Sequence, residues 1–395
     1  MALHTVNRRL VDNILDKAQS GGSLTYQETF SLLSLEDDQA IRKVMAAARK
    51  IRDKYFGNNI FVYGFIYFST FCQNHCSFCY YRKTNQLSPR YRKSLGEIVD
   101  IAVRLAESGI HLIDLTMGED PEIIRAGKFE ILFEMIMRVK DATGLPVMIS
   151  PGVVPAEVLE KFSNLGVDWY ALYQETHNQV LYKKLRVGQS FRERADRRAA
   201  ALDYGMLVED GMLLGVGETT GDRAASILNM KDQGVQQARV MSLVPQAQTP
   251  MASRKAIPRV QEALSIAVMR IIMPDKLIPA SLDVDGIKGL KMRLEAGANV
   301  VTSIIPPSAS LAGVSQSTLD IDEGLRTVPE VKKILSGMGL RVADSGDYIK
   351  WIAGLKAKRV NWGDDCSEGG YCGGTASGFR SSLPGPAGWV GDGTN

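Results

Sequence analysis

Three of the five cysteines in this 395-residue chain fall close together in the stretch FSTFCQNHCSFCY (68–80), as Cys72, Cys76 and Cys79. A disulfide framework uses cysteines in pairs, a structural zinc site closes four ligands around one ion, and a thiol nucleophile works alone. A C-x3-C-x2-C triplet fits none of these outright. Zinc would need His75 or a distant side chain as its fourth ligand, yet His75 directly precedes Cys76, and two adjacent residues reach one tetrahedral ion poorly. Three thiolates can instead hold three irons of a 4Fe-4S cluster, leaving the fourth iron open to a small molecule. That would be a catalytic site with a vacant position.

A second group of residues carries charge where the surrounding pattern is apolar. Asp114 sits in LIDLT, Arg239 in ARVMSL, and Ser281 with Asp283 in ASLDV. A buried ion without a partner costs several kcal/mol, of order 5 or more, so each of these needs an opposite charge nearby. One cation and two anions facing one interior suit a ligand with one carboxylate and two ammonium groups, and lysine is such a ligand. The plainer alternative is an internal ion pair of Arg239 with Asp114 or Asp283, with no ligand involved.

These residues must be positioned by regular elements, and the chain supplies them. With 45% hydrophobic and 23% charged residues it has the composition of a globular protein with a sizeable core. The formal net charge of +3 gives no footprint for nucleic acid or an anionic membrane surface. No secretory leader or membrane-length apolar run is visible, so a cytoplasmic location is expected, with no membrane and no nucleic-acid partner. In a reducing compartment a cysteine cluster points to metal or chemistry rather than to disulfides.

Residues 1–60 read as a helical cap: TYQE at 25–28 forms a capping box of Thr25 and Glu28, and Ile41, Val44, Met45, Ala48 and Ile51 follow at helical spacing up to Gly57. From residue 61 to 350, short apolar runs alternate with amphipathic helices. Strands are expected near 62–68, 111–116, 146–150, 169–174, 211–216, 238–244, 277–283 and 299–305, with Ser94 capping and Gly109 ending the first intervening helix. Eight such units predict an α/β fold, a closed (β/α)8 TIM-type barrel, with a doubly wound open sheet as the alternative. In either, chemistry belongs at the carboxyl ends of the strands. Residues 351–395, rich in Gly, Ser and Pro, read as a flexible tail in which Cys366 and Cys372 lie idle.

A C-x3-C-x2-C motif on the loop after the first strand of such a barrel resembles the radical S-adenosylmethionine (SAM) enzymes, and Phe78 fills the aromatic position before the last cysteine. The resemblance implies a 4Fe-4S cluster held by Cys72, Cys76 and Cys79, with SAM chelating the open iron and Phe78 flanking its adenine. MGEDP (117–121) matches the segment placed near the SAM amino group, and ALYQETHNQVLYKKLRVGQSFRER (171–194) resembles the subgroup of biotin synthase and the iron-only hydrogenase maturase. That subgroup implies Glu175, Arg194 and Ser150 as further SAM contacts. Arg186 is a rival cation, and without the cysteine motif Glu175 and Arg194 would read as a salt bridge to each other.

IDLTMGEDP, ARVMSLVPQ, LIPASLDVDGIKG and EAGANVVTSIIPP further resemble the 3-methylornithine synthases of pyrrolysine biosynthesis, over about residues 25–345. That likeness implies an isomerase that converts L-lysine to (3R)-3-methyl-D-ornithine. A 5'-deoxyadenosyl radical would abstract hydrogen, and the carbon skeleton would fragment and recombine. Asp114, Arg239, Ser281 and Asp283 would hold the substrate. It also implies a flavodoxin or ferredoxin as electron donor; a monomer is expected. Biotin synthase carries a second cluster, but here no cysteine follows Cys79 until the tail. Two alternatives remain beside this reading, another radical SAM enzyme of the maturase type and a non-catalytic metal-binding module.

Overall fold

The computed structural model describes residues 8–313, 315 and 325–364, so Cys366, Cys372 and the rest of the expected tail from 365 onward lie outside the described residues. The chain divides into two units, Met1–Ile352 and Ala353–Asn395. The first opens with α1 (Arg8–Gln19), α2 (Tyr26–Leu33) and α3 (Asp38–Phe56). Thr25 and Glu28 do form the capping box, Glu28 N donating to Thr25 Oγ1 at 3.2 Å and Thr25 N to Glu28 Oε2 at 2.7 Å. Helix α3 buries Ile41, Val44, Ala48 and Ile51 and stops at Gly57, whose φ of 60° favours a residue without Cβ. Its Arg49 and Arg52 donate to the carbonyls of Glu295 and Leu294, each at 2.8 Å, which fastens the helical segment to the following domain.

That domain alternates strand and helix. In chain order it contains β1 (Asn59–Ser69), α4 (Leu95–Glu107), β2 (Leu112–Met117), α5 (Glu130–Thr143), β3 (Val147–Ser150), α6 (Ala156–Asn164), β4 (Trp169–Ala171) and α7 (Gln179–Leu185). There follow α8 (Phe191–Asp203), β5 (Leu207–Leu214), α9 (Thr220–Asp232), β6 (Gln237–Ser242), α10 (Arg259–Ile272), β7 (Pro279–Ser281), α11 (Leu290–Glu295) and β8 (Val300–Ile304). Strands β1 to β8 pair in parallel in the order β6-β5-β4-β3-β2-β1-β8-β7. The seam between β6 and β7 carries one bridge, Gln237 with Leu277, through Ala238 N to Leu277 O and Leu277 N to Gln236 O, each at 3.0 Å. The sheet is therefore a nearly closed barrel, as the alternation of eight units predicts.

Strands buried on both faces read as continuous apolar runs, and β1, β2 and β5 are buried along almost their whole length. Strand β5 departs from expectation: it starts at Leu207 rather than near 211, and so contains Glu209 and Asp210. Burial makes the two carboxylates compatible with a strand because each finds a cation on its own side. Asp210 faces the helices, 3.2 Å from Arg198 of α8, whereas Glu209 faces the lumen.

The chain closes with α12 (Val328–Gly337), β9 (Arg341–Val342), which pairs with β1, and α13 (Ser345–Asp364). Helix α13 runs through position 351, where the tail is expected to begin, and the two units divide just beyond it, after Ile352. The physical reason is an aromatic floor: Tyr348 donates to Tyr63 Oη at 2.8 Å, and Trp351 stacks on Trp169 at 6.2 Å, sealing the amino-terminal end of the barrel. Among the described residues no helix is long and apolar enough to cross a membrane.

Candidate active site

The cysteine loop leaves the carboxyl end of β1 and folds back on itself, with Lys83 N donating to Asn74 O at 2.9 Å. It is pinned to α7 by Ser77, whose N donates to Leu185 O at 2.8 Å and whose Oγ donates to Lys184 O at 2.6 Å. Cys72, Cys76, Phe78 and Cys79 thereby line one cavity together with Glu119, Ser150, Glu175, Arg186 and Arg194, while His75 is not on its wall. Burial pushes the Cys72 thiol up to about 11, and burial followed by the charges of Cys76 and Cys72 pushes Cys79 well up. Crowded thiolates of this kind are stabilised by a cationic metal centre.

Among the described residues no three Cys, His, Asp or Glu side chains converge on the position of a single ion. His75 lies off the cavity wall, away from where a fourth zinc ligand beside the cysteines would stand. Three thiols on one cavity wall suit a cluster that takes one cysteine per iron and leaves a corner open. Gln189 Nε2 at 3.1 Å and Arg186 Nη1 at 3.7 Å donate to Cys76 Sγ.

Beyond the cysteines the cavity wall is a set of crossed ion pairs. Glu175 accepts from Arg186 Nη2 at 2.5 Å, and Arg194 lies 3.5 Å from Glu119 Oε1. Glu175 and Arg194 are therefore not bridged to each other, and Arg186, the rival cation, is the partner of Glu175. Burial, and then the charge of Arg186, lowers the proton affinity of Arg194, so a further anion beside it would be welcome. Glu175 adopts φ 68°, held there by its N donating to Gly211 O and its O accepting from Leu213 N, both at 2.9 Å. Gly152 (φ 85°) makes room for Glu119, whose Cγ would stand 2.1 Å from a Cβ at that position. Two buried pairs of this form could exchange partners with the carboxylate and ammonium of a zwitterion.

The adjoining lumen shares Phe78, Cys79, Thr116, Tyr173 and Glu175 with the first cavity and continues to Phe65, Tyr67, Arg239 and Asp283. Here the structure corrects the charge count made from sequence. Arg239 pairs with neither Asp114 nor Asp283 but with Glu209, Nε to Oε1 at 2.7 Å. Asp283 pairs with Arg326 at 2.7 Å and also accepts from Tyr67 Oη and Ser303 Oγ, each at 2.9 Å. Ser281 Oγ stands 3.4 Å from Ser303 Oγ, behind the carboxylate.

That leaves Asp114. Its Oδ1 accepts from Ser150 Oγ at 2.8 Å, its Oδ2 has no partner, and no basic side chain among the described residues bridges to it. Burial first, and then the nearby Glu209 charge, push its pKa up to about 8. Ser150, on the wall of the first cavity, thus holds Asp114. Glu209 and Arg326 are not singled out by sequence, whereas Glu119 lies in the MGEDP segment expected near the SAM amino group. The available signal was the need of Arg239 and Asp283 for counter-ions, which names a requirement without naming the residue.

Residues 66–228 match the model of the Radical SAM superfamily. The chain is 43% identical to the 3-methylornithine synthase of Methanosarcina acetivorans over 338 residues, covering 86% of this chain and 96% of that one. It is 30% identical to the [FeFe] hydrogenase maturase subunit HydE of Thermotoga maritima, over 70% and 79% of the two chains. The crystal structure of methylornithine synthase (PylB) superimposes with a TM-score of 0.81 at 42% identity, covering 86% of this chain and 99% of that one.

Proposed function

The chain belongs to the radical SAM superfamily and, within it, to the 3-methylornithine synthases, and from that membership we propose that it isomerises L-lysine to (3R)-3-methyl-D-ornithine, the opening step of pyrrolysine biosynthesis. The observation that carries the substrate assignment is the charge balance of the lumen. Arg239 pairs with Glu209 and Arg326 with Asp283, which leaves Asp114 as the one carboxyl group without a cation, holding its proton until an ammonium arrives. Lysine, with two ammonium groups and one carboxylate, brings the one positive charge that closes the balance.

In this reading Cys72, Cys76 and Cys79 hold a 4Fe-4S cluster, and Glu119, Ser150, Glu175, Arg186 and Arg194 with Phe78 receive SAM. When bound, these groups supply the one-electron chemistry that begins the reaction by hydrogen-atom abstraction. A flavodoxin or ferredoxin is the proposed electron source.

The chain's own part is to hold and to seclude. Arg239 presents its unpartnered Nη2 to the substrate carboxylate. Ser281 and Asp283 flank the same end, and Asp114 takes the side-chain ammonium at the other. Anchoring both ends matters because a skeleton that breaks and rejoins must not let its pieces drift. Phe65, Tyr67, Phe78 and Tyr173 form the walls, and the Tyr348 and Trp351 floor closes the far end against water.

The test is anaerobic incubation of the iron-loaded protein with lysine, SAM and a strong reductant. A product isobaric with lysine but of altered carbon skeleton by NMR is expected. Cleavage of SAM with lysine recovered unchanged would count against the reading.

A further inference from the structure

The guanidinium of Arg239 is clamped on three sides. Nε donates to Glu209 Oε1 at 2.7 Å, Nη1 donates to Thr302 Oγ1 at 3.1 Å, and the group lies over the rings of Tyr173 and Phe65, 5.4 and 5.9 Å from their centroids. Glu209 is itself fully buried, and its second oxygen accepts from Tyr173 Oη at 2.9 Å. Across the strand pair, Gly211 stands opposite Arg239, and a Cβ there would approach Arg239 Cβ at 3.1 Å and Tyr173 Cδ1 at 3.2 Å.

A guanidinium can grip a carboxylate bidentately along either of two edges, the side edge of Nε with one Nη, or the end edge of the two Nη nitrogens. Glu209 Oε1 takes Nε, which closes the side edge to a bidentate ligand. What remains for a ligand is the end edge, where Nη2 is buried and has no partner. The two modes place a bound carboxylate at different positions in the lumen, and the rest of an extended amino acid moves with it.

We propose that Glu209 is a positioning residue for the substrate: by blocking the side edge of Arg239 it dictates where the α-carboxylate sits, and through that which side-chain carbon faces the cofactor cavity. The inference rests on the lysine reading above. Without Glu209 the same guanidinium would accept a carboxylate side-on, the ligand would shift, and hydrogen abstraction would lose its regiochemistry.

The experiment measures equilibrium binding of lysine and of SAM to the cluster-loaded protein in wild type, Glu209→Gln, Arg239→Met and the double variant. Loss of a charge-assisted hydrogen bond predicts that E209Q weakens lysine binding by about tenfold or more. SAM affinity should stay within about twofold, and the E209Q effect should vanish in the R239M background, because the two residues act as a unit. Lysine deuterated at single side-chain carbons adds a second readout: E209Q should pass deuterium into 5'-deoxyadenosine from positions that wild type does not use. Glu209→Asp, which keeps the charge on a shorter arm, should fall between wild type and E209Q and serves if E209Q does not fold. Lysine affinity unchanged in E209Q, or the same loss with and without Arg239, would overturn the proposal. Failure of wild type to bind lysine would instead sink the substrate reading on which it rests.

Discussion

Arg186 spans the space between a carboxylate and a cysteine: its Nη2 donates to Glu175 Oε1 at 2.5 Å while its Nη1 stands 3.7 Å from Cys76 Sγ. One guanidinium therefore touches both the proposed SAM-binding wall and the proposed cluster. Replacing it by methionine strands a buried carboxylate, so Arg186→Met should weaken SAM binding by about tenfold or more. Bound iron should be retained, because the thiols remain. Titration of SAM into the reconstituted variant, with iron assayed in parallel, checks this; unchanged SAM affinity would remove Arg186 from the wall.

The cysteine loop makes an unequal prediction for neighbouring residues. Cys79→Ala should abolish iron binding, whereas His75→Ala should keep about four irons per chain, the content of a 4Fe-4S cluster. The absorbance of anaerobically reconstituted protein and its iron and sulfide content give the answer. Loss of metal in the His75 variant would restore histidine as a ligand.

Asp114 yields a prediction with a sign. Its pKa lies at about 8 in the folded chain against an ordinary 3.8, because burial and Glu209 disfavour the charged form. Between those values the native state keeps a proton that the unfolded chain has released, so this group lowers stability progressively as pH rises from about 4 to about 8. Asp114→Asn has no such proton to lose. Its thermal midpoint should exceed that of wild type by an amount that grows from pH 5 to pH 8, and parallel curves would refute the assignment. Asp114→Ala should also damage lysine rearrangement more than SAM cleavage, and normal rearrangement would remove Asp114 from the substrate site.

Gly152 is the place where a single methyl group reaches the site indirectly. It has φ 85°, and an added Cβ would fall 2.1 Å from Glu119 Cγ, so both backbone and side chain resist it. Gly152→Ala should destabilise the fold by about 1–3 kcal/mol. It should also weaken SAM binding, through displacement of the Glu119 carboxylate from Arg194. Thermal unfolding together with SAM titration separates the two effects, and a variant neutral in both would show that the loop gives way freely.

Much of the architecture follows from properties that are local along the chain. The period of apolar residues marks all eight barrel strands, Thr25 with Glu28 and Ser94 with Glu97 cap their helices as three-residue spacings require, and the cysteine triplet is read from eight consecutive positions. Charged strand residues such as Asp114 and Arg239 also stand out, since an ion in an apolar run is costly wherever the chain puts it. The same rule failed at β5: adjacent Glu209 and Asp210 before a glycine resemble a turn, and only burial against opposite faces makes them strand residues.

Which charge neutralises which is not a local property. Glu209 and Arg239 are 30 residues apart, Asp283 and Arg326 are 43 apart, and Arg194 and Glu119 are 75 apart. Coulomb attraction and hydrogen bonding depend on separation in space, and barrel closure sets that separation. From the residues alone come the barrel, the cysteine triplet and the presence of buried charge. The pairing that leaves Asp114 as the carboxyl group without a cation, and ties Arg239 to Glu209, exists only once the strands are side by side.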